Sequence, residues 1–177
     1  MKAKVTLIVG GTGSAKLLRG LASTIPQENL TVIANVGDNV RLHGLYVCPD
    51  VDTAVYALAG LLDRRRGWGL RRETFNALQM LGRYGLPTWF RLGDRDLATH
   101  IYRTLLLSQG ATLSEATRRI CQALGVKARV LPATDNPLET YIWTADGQIL
   151  HLQEFWVKRG GADPVAGVEY RGAEQAR

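Results

Sequence analysis

The sequence predicts an α/β fold: a Rossmann-like open, mostly parallel sheet with helices on both faces and a small β-hairpin insertion. Three observations carry that expectation. Val5–Val9 is a short apolar, β-branched run of the kind that forms a buried parallel strand. A glycine-rich turn and a helical stripe follow it at once. A second apolar run, Leu30–Ala34, then leads directly into a polar loop, the position where open parallel sheets place their ligands. With 177 residues the chain is long enough for one good core, and a single α/β domain over 1–177 is expected.

Composition narrows the function classes. Apolar residues make up 46% and charged residues 21%, the balance of a globular domain rather than a disordered or membrane-spanning chain. A net charge of +6 favours anionic ligands such as nucleotides and phosphates. Nucleic acid is not expected as a partner, because the basic stretch Arg64–Arg72 contains only one aromatic, Trp68, for bases to stack on. The run from Met1 to Val9 is too short for a leader peptide, and no stretch approaches a membrane span. Cys48 and Cys121 lie far apart and form no metal-ligand pattern, so reduced thiols and a cytoplasmic location are expected.

The first element after Val5–Val9 is the turn Gly10, Gly11, Thr12 and Gly13. Three residues without a Cβ let the backbone turn sharply and approach a ligand closely. Ser14 can cap a helix whose stripe Ala15, Leu17, Leu18 and Leu21 ends near Ile25-Pro26. Such a unit aims free N–H groups and a positive helix end at one spot, which suits a phosphate, with Lys16 and Arg19 adding charge. The spacing matches neither the full dinucleotide fingerprint nor the P-loop, so a turn used only for packing remains open. The loop after Leu30–Ala34, Asn35-Val36-Gly37-Asp38-Asn39, reads either as a ligand loop or as a plain turn.

From Val51 to Leu62 the apolar residues repeat at helical spacing, which puts Asp50 or Asp52 at a helix N-terminus. A capping aspartate is worth about 1 kcal/mol. Two carboxylates one residue apart exceed that need and could hold Mg²⁺ or a ligand hydroxyl or ring N–H. The basic stretch Arg64–Arg72, broken by two glycines, reads as a solvated loop before a helix from about Glu73 to Arg83. The densest polar cluster follows, running from Arg91 through Asp94, Arg95, Asp96 and His100 to Arg103. A glycine turn opens its helix at Asp94 or Asp96. Asp96, His100 and Arg103 then share one face, as either a ligand-handling group or a plain ion-pair stripe.

Thr112-Leu113-Ser114-Glu115 is a capping-box pattern that starts a helix to about Ala123 and ends it at Gly125. Ala128–Leu131 reads as a strand leading into the turn-forming stretch Pro132–Pro137. Thr140–Thr144 and Gln148–Leu152, joined at Asp146-Gly147, form a hairpin with a structural role. After Trp156, Lys158–Pro164 reads as a loop, and no final packing element is expected before Arg177.

Taken together, GGTGSAKLLRGL, NVGDN, GLYVCPDVDT, GWG, FRLGDRDLATHI, LPATDNP and QEFWVKR resemble, in this order, the 2-phospho-L-lactate transferase family of coenzyme F-420 biosynthesis. CPDVDT and LGDRDLATH are its specific motifs. The resemblance covers nearly the whole chain, whereas family members run longer, so the chain is similar to the N-terminal part of a longer transferase. It implies transfer of a phospho-acid group, phospholactyl or phosphoenolpyruvyl, from a guanosine diphosphate-linked donor to the ribityl hydroxyl of the deazaflavin Fo. GMP is released and Mg²⁺ is required.

By the same resemblance Asp52 and Arg91 match Fo-binding positions, and Gly10, Gly11, Thr12 and Gly13 match the phosphate-binding turn. A nearby aspartate, taken as Asp52, is expected to accept the hydroxyl proton, so that Asp52→Asn lowers transfer sharply without unfolding the protein. Asp50, Asp94 and Asp96 are candidates for the metal by chemistry alone. Ser14, Asn39 and Asn136 depart from the family pattern, the two asparagines each standing where an aspartate is expected. A homodimer is left open. The alternative is a nucleotide-sugar-binding regulatory protein of the gluconeogenesis-factor type, which shares the glycine turn but not CPDVDT or LGDRDLATH. A nicotinamide oxidoreductase is disfavoured by the incomplete fingerprint and by Ala34, which stands where an acidic residue would close the second strand.

Overall fold

A computed structural model describes residues 4–176; Met1 to Ala3, which open the short N-terminal run, and Arg177, the end of the expected domain, lie outside it. The core of the fold is a three-stranded parallel sheet in the order β1-β2-β5, with β1 at Val5–Val9, β2 at Leu30–Ala34 and β5 at Arg129–Pro132. Val5 pairs with Leu30, Leu7 with Val32, and Val32 with Val130, which puts all five on one face. The helices α1 (Gly11–Thr24), α2 (Pro49–Leu58) and α5 (Leu113–Ala123) supply the rest of the main core over this face, through Leu18, Val51, Val55 and Ile120. The cover expected on both faces is found on this one. On the opposite face of β1, Thr6 is exposed and Ile8 is 86% exposed, and the outer edge of β1 pairs with no strand among the described residues.

Helix boundaries follow their caps. α1 begins at Gly11, with Gly10 extended as its N-cap, rather than at the expected Ser14; the Ser14 hydroxyl bonds back to the Gly11 carbonyl at 2.7 Å. Gly11 to Gly13 are therefore the first helical turn and not a loop ahead of it. α2 takes Pro49 at its first position, where a missing N–H costs nothing. It stops at Leu58, short of the expected Leu62, because Gly60 turns the chain at φ 69° and Leu62 forms a bridge with Leu70. The capping box of α5 is present as read: Thr112 accepts from the Glu115 amide and Glu115 from the Thr112 amide.

α3 (Asn76–Arg83) and α4 (Asp94–Ser108) cap each other. Asp94, the first residue of α4, accepts from the Asn76 and Ala77 amides of α3, and from the Thr74 hydroxyl and Asn76 side chain. Glu73, just before α3, accepts from the Arg95 and Asp96 amides of α4. Glu73 is thus pulled out of the helix expected to begin there.

Three strands were not expected. β3 (Val40–Leu42) and β4 (Leu45–Val47) form a tight hairpin over His43 and Gly44, both at positive φ as such two-residue turns require. β8 (Val165–Arg171) corrects the reading that no packing element follows the loop at Lys158–Pro164. It pairs antiparallel with β6 (Glu139–Thr144), while β7 (Ile149–His151) pairs on the other side of β6 to complete the expected hairpin.

Candidate active site

The loops at the C-terminal ends of β1 and β2 open on a cleft of about 760 Å³, as an open parallel sheet dictates. Gly11, Asp50, Asp52, Arg91 and Asp96 all line it, although they come from three separate stretches of sequence. Gly10 adjoins it as the cap of α1, where an added Cβ would stand 3.3 Å from an Asp50 oxygen. Thr12 is on the wall, and Gly13 follows with open space above its Cα.

The anion-favouring start of α1 already has an acid at it. The Gly11 amide donates to Asp50 Oδ1 at 2.6 Å, and Asn35 Nδ2 donates to Asp50 Oδ2 at 2.9 Å. Asp50 also lies in the first turn of α2, so two helix N-termini favour its charge. Its own amide donates to Asp38 Oδ2 at 3.2 Å. Asp38 Oδ1 is buried without a hydrogen-bond partner. Burial, reinforced by the neighbouring Asp50 charge, holds the Asp38 carboxyl well above the usual carboxylate range. Gln153 Nε2 donates to the Asp38 carbonyl, and His151 Nδ1 accepts from the Gln153 amide, so its Nε2–H donates to the Asn39 carbonyl. The hairpin read as merely structural is thereby tied to the Asp38 loop and walls the cleft.

The floor is a buried polar network. Arg103 of α4, fully enclosed, donates to both oxygens of Asp52, to the Tyr46 carbonyl and to His100 Nδ1. His100 Nδ1 also lies 3.6 Å from Asp52 Oδ2, and Nε2 lies 3.4 Å from Asp96 Oδ1. The Tyr56 hydroxyl donates to the same oxygen at 2.7 Å. Burial works against the Arg103 charge, but Asp52 outweighs it and raises the guanidinium above its ordinary pKa. Burial also works to raise Asp96, yet the bonds from His100 and Tyr56 prevail and its carboxyl stands below the usual range. Burial, with the Asp52 and Asp96 charges, keeps the Tyr56 hydroxyl protonated.

The rim is aromatic and basic. Trp68, Trp89, Phe90 and Trp156 border the opening. Arg91 lies over the Phe75 ring at 4.5 Å, Arg66 over Trp68 at 4.8 Å and Lys158 over Trp89 at 6.0 Å. The basic loop read as solvated folds across the start of α1: a Cβ on Gly67 would stand 3.4 Å from the Thr12 side chain.

Asp50, Asp94 and Asp96 do not form a metal site together. Among the described residues no three His, Cys, Asp or Glu side chains are grouped to hold an ion. Asp94 is spent on capping α3, and its bond from Thr74, with those from the Ala77 and Asn76 amides, lowers its carboxyl to about 2. Cys48 and Cys121 are free and buried, and burial pushes each thiol up to about 12, which disfavours the thiolate. Tyr56 and Trp156 escaped the sequence reading as cleft residues: one was hidden in an apolar helix, and the other was noted only within QEFWVKR. No described helix is long and apolar enough to cross a membrane.

Comparison with known proteins decides the family. Residues 5–177 match the family profile described as 2-phospho-L-lactate transferase CofD. The chain belongs to that family. It is 41% identical over 167 residues to the 2-phospho-L-lactate transferase of Methanosarcina mazei, covering 94% of this chain and 55% of that protein. It is 42% identical over 178 residues to the phosphoenolpyruvate transferase of Streptomyces coelicolor, covering 98% and 56%. The chain thus spans little more than half the length of these relatives. Among solved structures, a UPF0052 family member from Bacillus halodurans shares the fold, with a TM-score of 0.59 at 21% identity, over 97% of this chain and 52% of that one.

Proposed function

We propose that the chain carries the acceptor- and phosphate-handling part of an enzyme that moves a phospho-acid group, phospholactyl or phosphoenolpyruvyl, from a guanosine diphosphate-linked donor to the ribityl hydroxyl of the deazaflavin Fo. The observation that carries this is the single cleft holding a glycine-opened helix start, an acidic pair, a buried acid and an aromatic, arginine-bearing rim. Relatives named for phospholactate and for phosphoenolpyruvate transfer support the same class.

In this reading the hydroxyl oxygen forms a bond to the phosphorus carrying the acid group. The bond from that phosphorus to the bridging oxygen breaks, and its electron pair leaves with GMP. Such transition states are loose and ask the protein for placement and charge neutralisation rather than covalent help. The planar acceptor lies among Trp68, Trp89 and Trp156, with Arg91 at its edge. Asp52 accepts the hydrogen bond of the ribityl hydroxyl and aims its oxygen, and the proton leaves late, to a phosphate oxygen of the departing GMP. The first-turn amides of α1 beyond Gly11, whose own N–H is held by Asp50, have no partner within the helix and face the diphosphate.

In this reading Mg²⁺ takes one place in the cleft. Asp38, with its orphaned buried oxygen, and the adjoining Asp50 would hold it, since Mg²⁺ commonly takes one or two carboxylates and completes its shell with water and phosphate oxygens. Bound there, it would offset the charge of the diphosphate.

The test is incubation with Fo, a guanylated phospho-acid donor and Mg²⁺, followed by mass spectrometry and by titration of Fo fluorescence. Saturable quenching of Fo and a phospho-acid adduct are expected. Absence of any Fo binding, with binding of a UDP-sugar in its place, overturns the reading.

A further inference from the structure

The Arg103–Asp52 pair asks for an explanation that stability does not supply. Arg103 has no exposure and Asp52 only 4%, so both charges are stripped of water. Arg103 Nε has no hydrogen-bond partner in its enclosed site. Burying such a pair costs about as much as the pairing returns, and well-packed apolar side chains of similar volume commonly do as well or better. What the pair does supply is orientation. A guanidinium fork grips a carboxylate at two points and fixes its plane, which a lysine ammonium cannot reproduce.

The same guanidinium reaches past Asp52. Through Nη1 it also bonds the Tyr46 carbonyl at 3.3 Å and His100 Nδ1 at 3.3 Å. His100 Nε2 in turn lies 3.4 Å from Asp96 Oδ1, to which the Tyr56 hydroxyl donates. Asp52, His100, Asp96 and Tyr56 all line the cleft. One enclosed cation, which itself is not among the lining residues, therefore holds Asp52 directly and touches His100 beside it.

We propose that Arg103 is a positioning residue, which holds Asp52 as the oriented hydrogen-bond acceptor that the cleft floor offers the acceptor alcohol. This rests on the reading of the cleft as the acceptor site. With both Asp52 oxygens on guanidinium donors, Asp52 serves as an anchor for the hydroxyl rather than as the base that removes its proton.

The experiment is a double-mutant cycle of Arg103→Lys and Asp52→Asn. Fo affinity is read by fluorescence, and the thermal midpoint and near-UV circular dichroism are followed alongside. The expected result is a folded Arg103→Lys protein that binds Fo about tenfold more weakly, a 1.4 kcal/mol effect. The double variant is then no weaker than the weaker single, because both changes remove one interaction. Unchanged Fo affinity per folded Arg103→Lys molecule, or independent effects that simply multiply, overturns the proposal. Where the lysine variant does not fold, the wild-type protein answers through the NMR signals of the Arg103 guanidinium. These must be slow to exchange and must shift on addition of Fo; signals indifferent to Fo overturn it equally. No binding of Fo by wild type removes the reading of the cleft itself, and this proposal with it.

Discussion

Asp52→Asn tests the floor of the cleft most directly, because the structure attaches a stability cost to a change expected from the sequence to spare the fold. Asp52 is the sole carboxylate that Arg103 grips at both oxygens, and Arg103 has no access to water. An asparagine there presents an NH₂ to one of two guanidinium donors and leaves the cation unneutralised. Removing one partner of a buried ion pair costs about 3–5 kcal/mol. For a chain of this size each kcal/mol moves the thermal midpoint by about 2–4 °C, so a drop of about 6–20 °C is expected. Thermal unfolding followed by far-UV circular dichroism reads it. The double change Asp52→Leu with Arg103→Met, which removes both charges and keeps the space filled, is expected to recover most of the loss. A drop below about 2 °C in the single variant, or a double variant less stable than either single change, would refute the reasoning.

Other consequences are equally specific. Tyr56→Phe removes a 2.7 Å bond to a buried carboxylate and is expected to cost about 1.5–3 kcal/mol in chemical denaturation. Gly93→Ala places a Cβ 1.8 Å from Glu73 Cγ, so the Glu73 carboxylate must leave the start of α4. A loss of about 1 kcal/mol is expected, with faster hydrogen exchange at the Arg95 and Asp96 amides; unaltered exchange there counts against the cap. Asp96 has a depressed carboxyl pKa in the folded state, so its ionised form contributes stability above the unfolded carboxylate range near 4. That contribution disappears as the pH falls through the folded value. The stability gap between wild type and Asp96→Asn should therefore be widest at pH 5–7 and close in more acidic solution, as denaturation curves at stepped pH will show.

What could be read from the sequence was what the chain states locally. β1, β2 and the α5 capping box follow from short patterns of Val, Ile, Thr and Glu, and the structure places them within a residue or two. Asp94 at a helix start and the shared face of Asp96, His100 and Arg103 were also legible, since helical spacing fixes both. The partners of those residues were not. Asp94 caps a different helix 18 residues away, and Arg103 meets Asp52 across 51 residues, distances over which no periodicity speaks. β8 escaped because VAGVEYR is exposed on both sides for most of its length and declares itself only through β6. The glycine run misled in a smaller way: Gly11 and Gly13 looked like loop by type, yet with Gly10 extended as the cap they begin the helix itself.

The crossed caps of α3 and α4 have a mechanical outcome. Each helix is stitched at its beginning by a carboxylate belonging to the other, and the segment carrying Trp89, Phe90 and Arg91 is trapped between the two stitches. Rim and floor therefore hang on the same pair of contacts: the entrance residues leave α3 and enter α4, the helix that holds His100 and Arg103, through one capped junction.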